Sequence, residues 1–104
     1  MNRAAAERAE ALLAALPDDP AAIAEFFRSS GVTGRRRISC ECPVSRYLGR
    51  QTGAQWYVYP QTGAWEAASM RAPDLPVFLA VPKAVQFFAQ SFDDGLYPYL
   101  DEEA

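Results

Sequence analysis

The two cysteines of the chain, Cys40 and Cys42, are separated by one residue and could support redox or nucleophilic chemistry. Cys42 stands where a helix is expected to begin, and a helix N-terminus together with neighbouring arginines lowers the pKa of a thiol. A zinc site would need more ligands, because the sequence has no histidine and no second cysteine pair. The simpler interpretation is that Cys40 and Cys42 are buried and chemically quiet.

The absence of histidine also limits catalysis. It excludes Ser-His-Asp and Cys-His mechanisms and removes the commonest general base near neutral pH. The acidic pairs Asp18-Asp19 and Asp93-Asp94 are both expected at helix ends, and the second pair, beside a helix C-terminus, indicates a local partner such as an arginine. No glycine-rich phosphate loop follows a candidate strand. We therefore predict that the protein is not an enzyme and has no catalytic residue, metal site or cofactor.

Arginines give the strongest charge signal in the sequence. Three of them follow one another in a loop at residues 33–41, and two more lie four residues apart on the next helix. Together they could bind phosphates, so an alternative nucleic-acid-binding role would use Arg35, Arg36, Arg37, Arg46 and Arg50. Against this role, the connection at residues 31–41 is longer than the ~3–4-residue turn of a helix-turn-helix motif, and the net charge is −3. Otherwise these arginines are solvated, paired internally or directed at an acidic protein partner.

Tyrosines are the candidate partner-binding residues. Tyr57 and Tyr59 alternate along a candidate strand and are expected on the outer face of a hairpin, where tyrosines are typical interface anchors. If helices cover both faces of the sheet, these rings belong to the core instead. The segment at residues 96–100 is too apolar to extend into solvent, and we expect it to pack against the rest of the chain. It adds Tyr97 and Tyr99 to the candidate surface.

Four helices must position these residues. Apolar spacing of three and four predicts helices over residues 4–16 and 82–94, and end signals predict two more. Asp19 caps the second helix, which Gly31 ends, while Cys42-Pro43 opens the third, which Gly53 ends. Ile23, Phe26 and Phe27 are expected to form the buried face of the second helix. The other helices carry stripes or shared faces made of Ala5, Ala9, Leu12, Leu13 and Leu16 in the first, Val44, Tyr47, Leu48 and Gln51 in the third, and Ala84, Val85, Phe87, Phe88 and Phe92 in the last.

The middle of the chain alternates with period two, which predicts strands over residues 55–59 and 64–68. Residues 60–63 would form a four-residue hairpin loop, so that Val58 faces Trp65 and Trp56 faces Ala67. Tyr57, Tyr59 and Glu66 then share the opposite face. Residues 77–81, framed by prolines, predict a third strand at an edge, and residues 69–76 predict a loop. The tetrapeptide Gln-Thr-Gly-Ala occurs twice, once at a helix end and once at this turn, so we interpret the repeat as coincidence.

These elements predict a single α+β domain over residues 1–104. It contains three N-terminal helices, a small antiparallel sheet made of the hairpin and one edge strand, and a C-terminal helix. Half of the residues are hydrophobic and 12% are aromatic, which is enough for a core and argues against disorder. Glu7 and Glu10 interrupt the signal-peptide-like N-terminus, and no stretch reaches the ~20 apolar residues of a membrane span. We expect a cytoplasmic protein that does not contact membranes.

Three segments together carry a resemblance: Gly31-Val-Thr-Gly34, Cys42-Pro-Val-Ser-Arg-Tyr-Leu48 and Phe92-Asp-Asp-Gly-Leu-Tyr-Pro-Tyr-Leu100. Over about residues 20–100 the chain resembles small uncharacterised proteins of GC-rich bacteria and their phages, which combine a CP-x-x-RYL helix with an FDxGxYPxL segment. This resemblance implies a compact intracellular domain and carries no activity or site. The run Arg35-Arg36-Arg37 and the additional Cys40 depart from the pattern.

The functional expectation is a non-catalytic interaction domain that binds another protein or a second copy of itself. Its aromatic content and the lack of a catalytic constellation or cofactor loop both favour this interpretation. We expect an accessory or regulatory protein of a bacterium or phage. The alternative is a nucleic-acid-binding regulator that uses the arginines.

Overall fold

The computed structural model describes residues 3–61, 64–69 and 77–103. Within them the elements follow in the order α1 (Arg3–Ala15), α2 (Pro20–Ser30), α3 (Pro43–Thr52), β1 (Tyr57–Gln61), β2 (Ala64–Ser69), β3 (Val77–Ala80), α4 (Lys83–Asp93) and a 3₁₀ turn (Pro98–Leu100). The strands form an antiparallel sheet in the order β1-β2-β3, with β3 at an edge. The predicted α+β class and element order are confirmed. Of the predicted loop at residues 69–76, Ser69 belongs to β2 and the rest lies outside the described residues.

α2 and α3 begin and end at the residues that the sequence indicates, whereas α1 and α4 differ from the predicted ranges 4–16 and 82–94 by one residue at each end. The Asp19 carboxylate accepts the N–H of Ala22 at 2.9 Å, and the Cys42 thiol accepts the N–H of Ser45 at 3.4 Å. Gly31 and Gly53 end α2 and α3 with φ of 71° and 76°, the left-handed region in which a side chain is strained. These local signals therefore fix the lengths of α2 and α3.

The hydrophobic core lies between the helices and one face of the sheet, here called the inner face. The rings of Phe27 and Phe88 meet at 5.4 Å where α2 packs against α4. Trp56 is 1% exposed, and its indole N–H donates to the Thr52 hydroxyl at 3.0 Å, which satisfies the buried donor. Val58, Ala67 and Leu79 contribute the inner face of the sheet to this core.

Three side chains on the predicted helix stripes and faces are not buried, and of these Phe26 corrects the prediction for the buried face of α2. Phe26 is 36% exposed, Phe87 is 55% exposed, and Gln51 is exposed at the end of α3. Ala5 and Leu12 are half-buried. Each lies at the rim of an apolar stripe, and a stripe predicts which direction is buried but not how far the neighbouring elements extend over it.

The register of the hairpin differs from the predicted one. Val58 lies opposite Ala67, and Gln61 lies opposite Ala64, so two residues connect the strands instead of four. The expected pairing of Val58 with Trp65 is wrong by two positions. A shift of two preserves the face of every side chain, so Tyr57, Tyr59 and Glu66 still share the outer face of the sheet. The turn residues 62–63 lie outside the described residues.

The segment after α4 packs back onto the chain, as expected. Leu100 is 1% exposed, and the following residue forms a parallel bridge with Gly34 in the loop between α2 and α3. Gly34 donates its N–H to the carbonyl of Leu100 at 2.8 Å, and its own carbonyl accepts the N–H of Glu102 at 3.0 Å. Leu96 and Tyr99 remain 51% and 53% exposed. No helix in the described ranges has the length and apolar character needed to cross a membrane.

Candidate functional site

The arginines of residues 33–41, called here the basic loop, are largely paired within the chain. Their partners are the carboxylates of residues 101–103, called here the acidic tail. The Nε of Arg35 lies 2.9 Å from Glu103, and the Nε of Arg36 lies 2.8 Å from Asp101, whose side chain is 5% exposed. On α3, the Nη1 of Arg46 lies 2.6 Å from Glu102.

The Glu102 carboxylate also accepts the hydroxyl of Thr33 at 2.8 Å. The hydrogen bond from Arg46, followed by that from Thr33, lowers the pKa of Glu102 below its ordinary value. Three of the five candidate phosphate-binding arginines are thus engaged by acids of the same chain. These contacts favour internal pairing over the nucleic-acid alternative, which stays a prediction.

The remaining two arginines of that set are placed differently. Arg50 is exposed and forms no ion pair with another described residue. Arg37 is exposed, has a left-handed φ of 63°, and donates its backbone N–H to Asp93 at 2.8 Å. The sequence indicated a partner such as an arginine beside Asp93-Asp94. In the structure Asp93 accepts the backbone N–H of Arg37, which any residue but proline could donate, and the charges of Arg37 and Arg36 act on its carboxylate without forming an ion pair among the described residues. Burial raises the pKa of the Asp93 carboxyl, although the Arg37 N–H opposes that shift.

The two cysteines are both free thiols and occupy different environments. Cys42 is buried at the start of α3, and Cys40 is half-buried in the basic loop. Burial raises the pKa of Cys42 despite its hydrogen bonds to Ser45, so the expected lowering at a helix N-terminus is not found. Within the described ranges, no three Cys, Asp or Glu side chains are placed to hold a metal ion.

The four candidate tyrosines divide into two pairs on different elements. Tyr97 is half-buried with its ring stacked on Phe88 at 5.6 Å, and burial raises its pKa. Tyr99 is exposed and meets Tyr97 edge-on at 6.4 Å. On the hairpin, Tyr57 and Tyr59 are half-buried, and the hydroxyl of Tyr59 donates to Glu66 at 2.9 Å. Tyr97 thus helps to anchor the segment after α4.

An apolar row crosses the outer face of the sheet. Tyr57 pairs with Ala68, and Ala68 pairs with Phe78 on β3. Ala68 is fully buried between its two large neighbours, whereas Phe78 is 52% exposed. Sequence reasoning missed Phe78, because its face depends on the register between β2 and β3, for which the chain between these strands gives no signal.

A cavity of about 360 Å³, here called the hairpin cavity, lies at the inner face of the hairpin. Val58, Pro60 and Trp65 of the hairpin and Ala89 of α4 contribute to its lining. Arg37 and Asp93 are the charged residues of the lining. The remaining lining comes from Ile38, Ser39, Cys42 and Tyr59. Sequence reasoning missed this cavity, since the residues come from four segments that only the fold brings together.

Comparison of the chain with protein-family models, with curated proteins and with solved structures finds no match.

Proposed function

We propose that the protein is a non-catalytic interaction domain, and that it binds a protein partner through the outer face of the sheet. The observation that carries the proposal is Phe78, which is 52% exposed in the apolar row with Tyr57 and the fully buried Ala68. Large aromatic side chains at such positions are typical centres of protein interfaces, because burying them on binding removes much apolar surface from water.

The surroundings of this row fit an interface centre with a polar rim. Tyr59 and Glu66 follow the row along the hairpin, and their mutual hydrogen bond fixes the position of both side chains before a partner arrives. Preorganised groups lose less conformational freedom on binding. We propose a partner with an apolar centre and a basic group that reaches Glu66.

The proposed setting is a cytoplasmic accessory or regulatory role in a bacterium or phage. What supports the cytoplasmic location is that Cys40 and Cys42 are both free thiols, as is usual in reducing compartments. The arginine-based alternative has less support, since Arg35, Arg36 and Arg46 already have carboxylate partners.

The experiment compares Phe78→Ala with Phe87→Ala in affinity capture. Phe87 is a matched control because it is also phenylalanine, is 55% exposed, and lies on α4 instead of the sheet. Loss of an interface anchor costs at least about 2 kcal/mol, so Phe78→Ala should weaken retention of the specific partner more than tenfold while Phe87→Ala leaves it unchanged. If both variants retain the partner equally, the outer face of the sheet is not the binding surface. A different result would show that the partner is a second copy of this chain. In that case the molecular mass in sedimentation rises with concentration, and Phe78→Ala returns it to the monomer value.

A further inference from the structure

The hairpin cavity combines an apolar surface with two opposite charges. Val58, Pro60 and Trp65 of the hairpin and Ala89 of α4 supply the apolar part. Arg37 from the basic loop and Asp93 from the end of α4 supply the charges. Small-molecule sites in proteins have this composition, a mainly apolar lining with a few polar groups that orient the ligand, and volumes of roughly 300–1,000 Å³. At about 360 Å³ the hairpin cavity is at the small end of this range.

Both charged groups retain binding capacity. Arg37 forms no ion pair with another described residue, in contrast to Arg35, Arg36 and Arg46, so its guanidinium is available to a ligand. The Asp93 carboxylate accepts the Arg37 N–H through Oδ1, and a carboxylate has about four acceptor sites in total. The same hydrogen bond holds the two residues side by side at the cavity.

The pairing of charges selects the ligand. An anion that approached Arg37 would also meet Asp93, and a cation that approached Asp93 would also meet Arg37. A ligand with both charges close together satisfies both side chains, and its apolar part can then contact Trp65 and Val58. The guanidinium group matches a carboxylate in shape, since its N–H donors form a planar fork.

We propose that the hairpin cavity binds a free apolar α-amino acid, with the ligand carboxylate on Arg37, the ligand ammonium on Asp93, and the ligand side chain against Trp65 and Val58. The centre of this site differs from that of the proposed protein-binding face, because Val58 and Trp65 project from the inner face of the sheet and Phe78 from the outer face. Tyr59 borders both, since it lines the cavity and belongs to the rim of the outer face.

Four probes test the proposal on the wild-type chain by isothermal titration calorimetry, with amide chemical shifts to locate the site. L-leucine carries both charges and an apolar side chain, whereas N-acetyl-L-leucine lacks the ammonium, L-leucinamide lacks the carboxylate, and glycine lacks the side chain. A charge-assisted hydrogen bond is roughly twice as strong as a neutral one, so N-acetyl-L-leucine and L-leucinamide should each bind at least about tenfold more weakly than leucine. Glycine should also bind at least about tenfold more weakly, because it has no apolar side chain to bury against Trp65 and Val58. Amide chemical-shift changes should concentrate at residues 37–39, 58, 59 and 93.

Variants test whether Arg37 binds the carboxylate of the ligand and Asp93 binds its ammonium group. Arg37→Gln and Asp93→Asn should each weaken leucine binding at least tenfold, while Arg50→Gln and Asp94→Asn, matched changes at exposed positions outside the cavity lining, should leave it unchanged. Phe78→Ala should also bind leucine normally, which separates this site from the protein interface. If a variant fails to fold, the series of leucine analogues still tests both charge contacts on the wild-type chain.

Three results would overturn the proposal. The first is no detectable leucine binding up to about 10 mM, a concentration at which even a Kd of 1 mM gives high occupancy. The second is equal binding of leucine and either charge-deleted analogue. The third is an equal loss of affinity in Arg37→Gln and Arg50→Gln, since a general electrostatic effect would then account for the binding.

Discussion

Replacing Gly34 with alanine measures how closely the basic loop approaches α3. A Cβ atom built at Gly34 would lie 2.6 Å from the carbonyl oxygen of Glu41 and 2.6 Å from both the ring Cδ and the nitrogen of Pro43. Ordinary contacts begin at 3.4 Å, so one side must move by about 0.8 Å. Glu41 and Pro43 cannot move away easily, because the Glu41 carbonyl accepts the Arg35 N–H at 2.8 Å and Pro43 is the buried first residue of α3.

Movement of Gly34 in the other direction is also costly. Its N–H and carbonyl both bond to the segment after α4, and displacement would lengthen these two hydrogen bonds, each worth about 0.5–1.5 kcal/mol. Overpacking of a tight site costs about 1–3 kcal/mol, and alanine recovers about 0.4–1 kcal/mol by restricting the unfolded chain. We therefore expect Gly34→Ala to lower the free energy of unfolding by about 2 kcal/mol.

Urea denaturation followed by tryptophan fluorescence, to which buried Trp56 and half-buried Trp65 both contribute, provides the measurement. Gly31→Ala is the control, because Gly31 has a left-handed φ of 71° and a Cβ atom added there would meet nothing within 4 Å. That variant carries only the backbone strain of about 1–2 kcal/mol, less the same gain in the unfolded chain. If Gly34→Ala is no less stable than wild type, the loop and α3 do not approach each other as described.

Three further changes test other contacts. Thr52→Val leaves the buried Trp56 indole N–H without its acceptor, so it should lower the free energy of unfolding by about 1–3 kcal/mol, whereas Thr52→Ser, which keeps the hydroxyl, should not. Because the folded-state pKa of Glu102 is lowered, its contribution to stability is present above the unfolded-state pKa and is lost as pH falls through the folded value. Urea midpoints of Glu102→Gln, measured from about pH 7 down to about pH 3, should lack that part of the decline, and a profile equal to that of wild type would exclude the Arg46 and Thr33 contacts as its source. Burial and the raised pKa of Cys42 predict that Cys40→Ser reacts with a thiol reagent at least about tenfold more slowly than Cys42→Ser under native conditions, and comparable rates would contradict a closed Cys42 site.

Local chemistry made the helix ends predictable. A capping carboxylate at Asp19, prolines in the first turns and glycines after the last turns act over a few residues, and Gly31 and Gly53 take the left-handed conformation that they were expected to take. These signals need no knowledge of distant segments. The spacing of apolar residues is likewise a local signal, and from it the order of helices and strands was predicted correctly.

Pro60 explains why the hairpin register was predicted wrongly. The sequence placed it in the turn, but it lies in β1 opposite Trp65. Val58 donates its N–H to the carbonyl of Ser39 at 2.9 Å, away from β2, and backbone groups alternate along a strand. Pro60, two residues further along β1, therefore also points its nitrogen away from β2. At this free edge of the sheet, the missing N–H of proline removes no hydrogen bond between strands. That β1 is an edge strand is a tertiary fact that local sequence cannot supply.

The candidate sites were less predictable than the fold because they depend on long-range neighbours. Arg35, Arg36 and Arg37 are identical in type, yet the first two pair with the acidic tail and the third lines the hairpin cavity. Similarly, Phe78 and Phe88 are both strongly apolar, and only the assembled fold leaves the first exposed and the second buried. Residue type indicated the chemistry in each case, and position in the fold decided its use.

The bridge between Gly34 and the acidic tail has a consequence for the order of folding. Thr33 and Glu102 are 69 residues apart in the chain, and Arg37 and Asp93 are 56 apart, so the basic loop receives its partners from distant sequence. Contacts across such separations form late, since the entropy of closing a long chain segment must be overcome first. In pulse-labelled hydrogen exchange during refolding, the amides of Gly34 and Glu102 should become protected together, after those in the middle of α2.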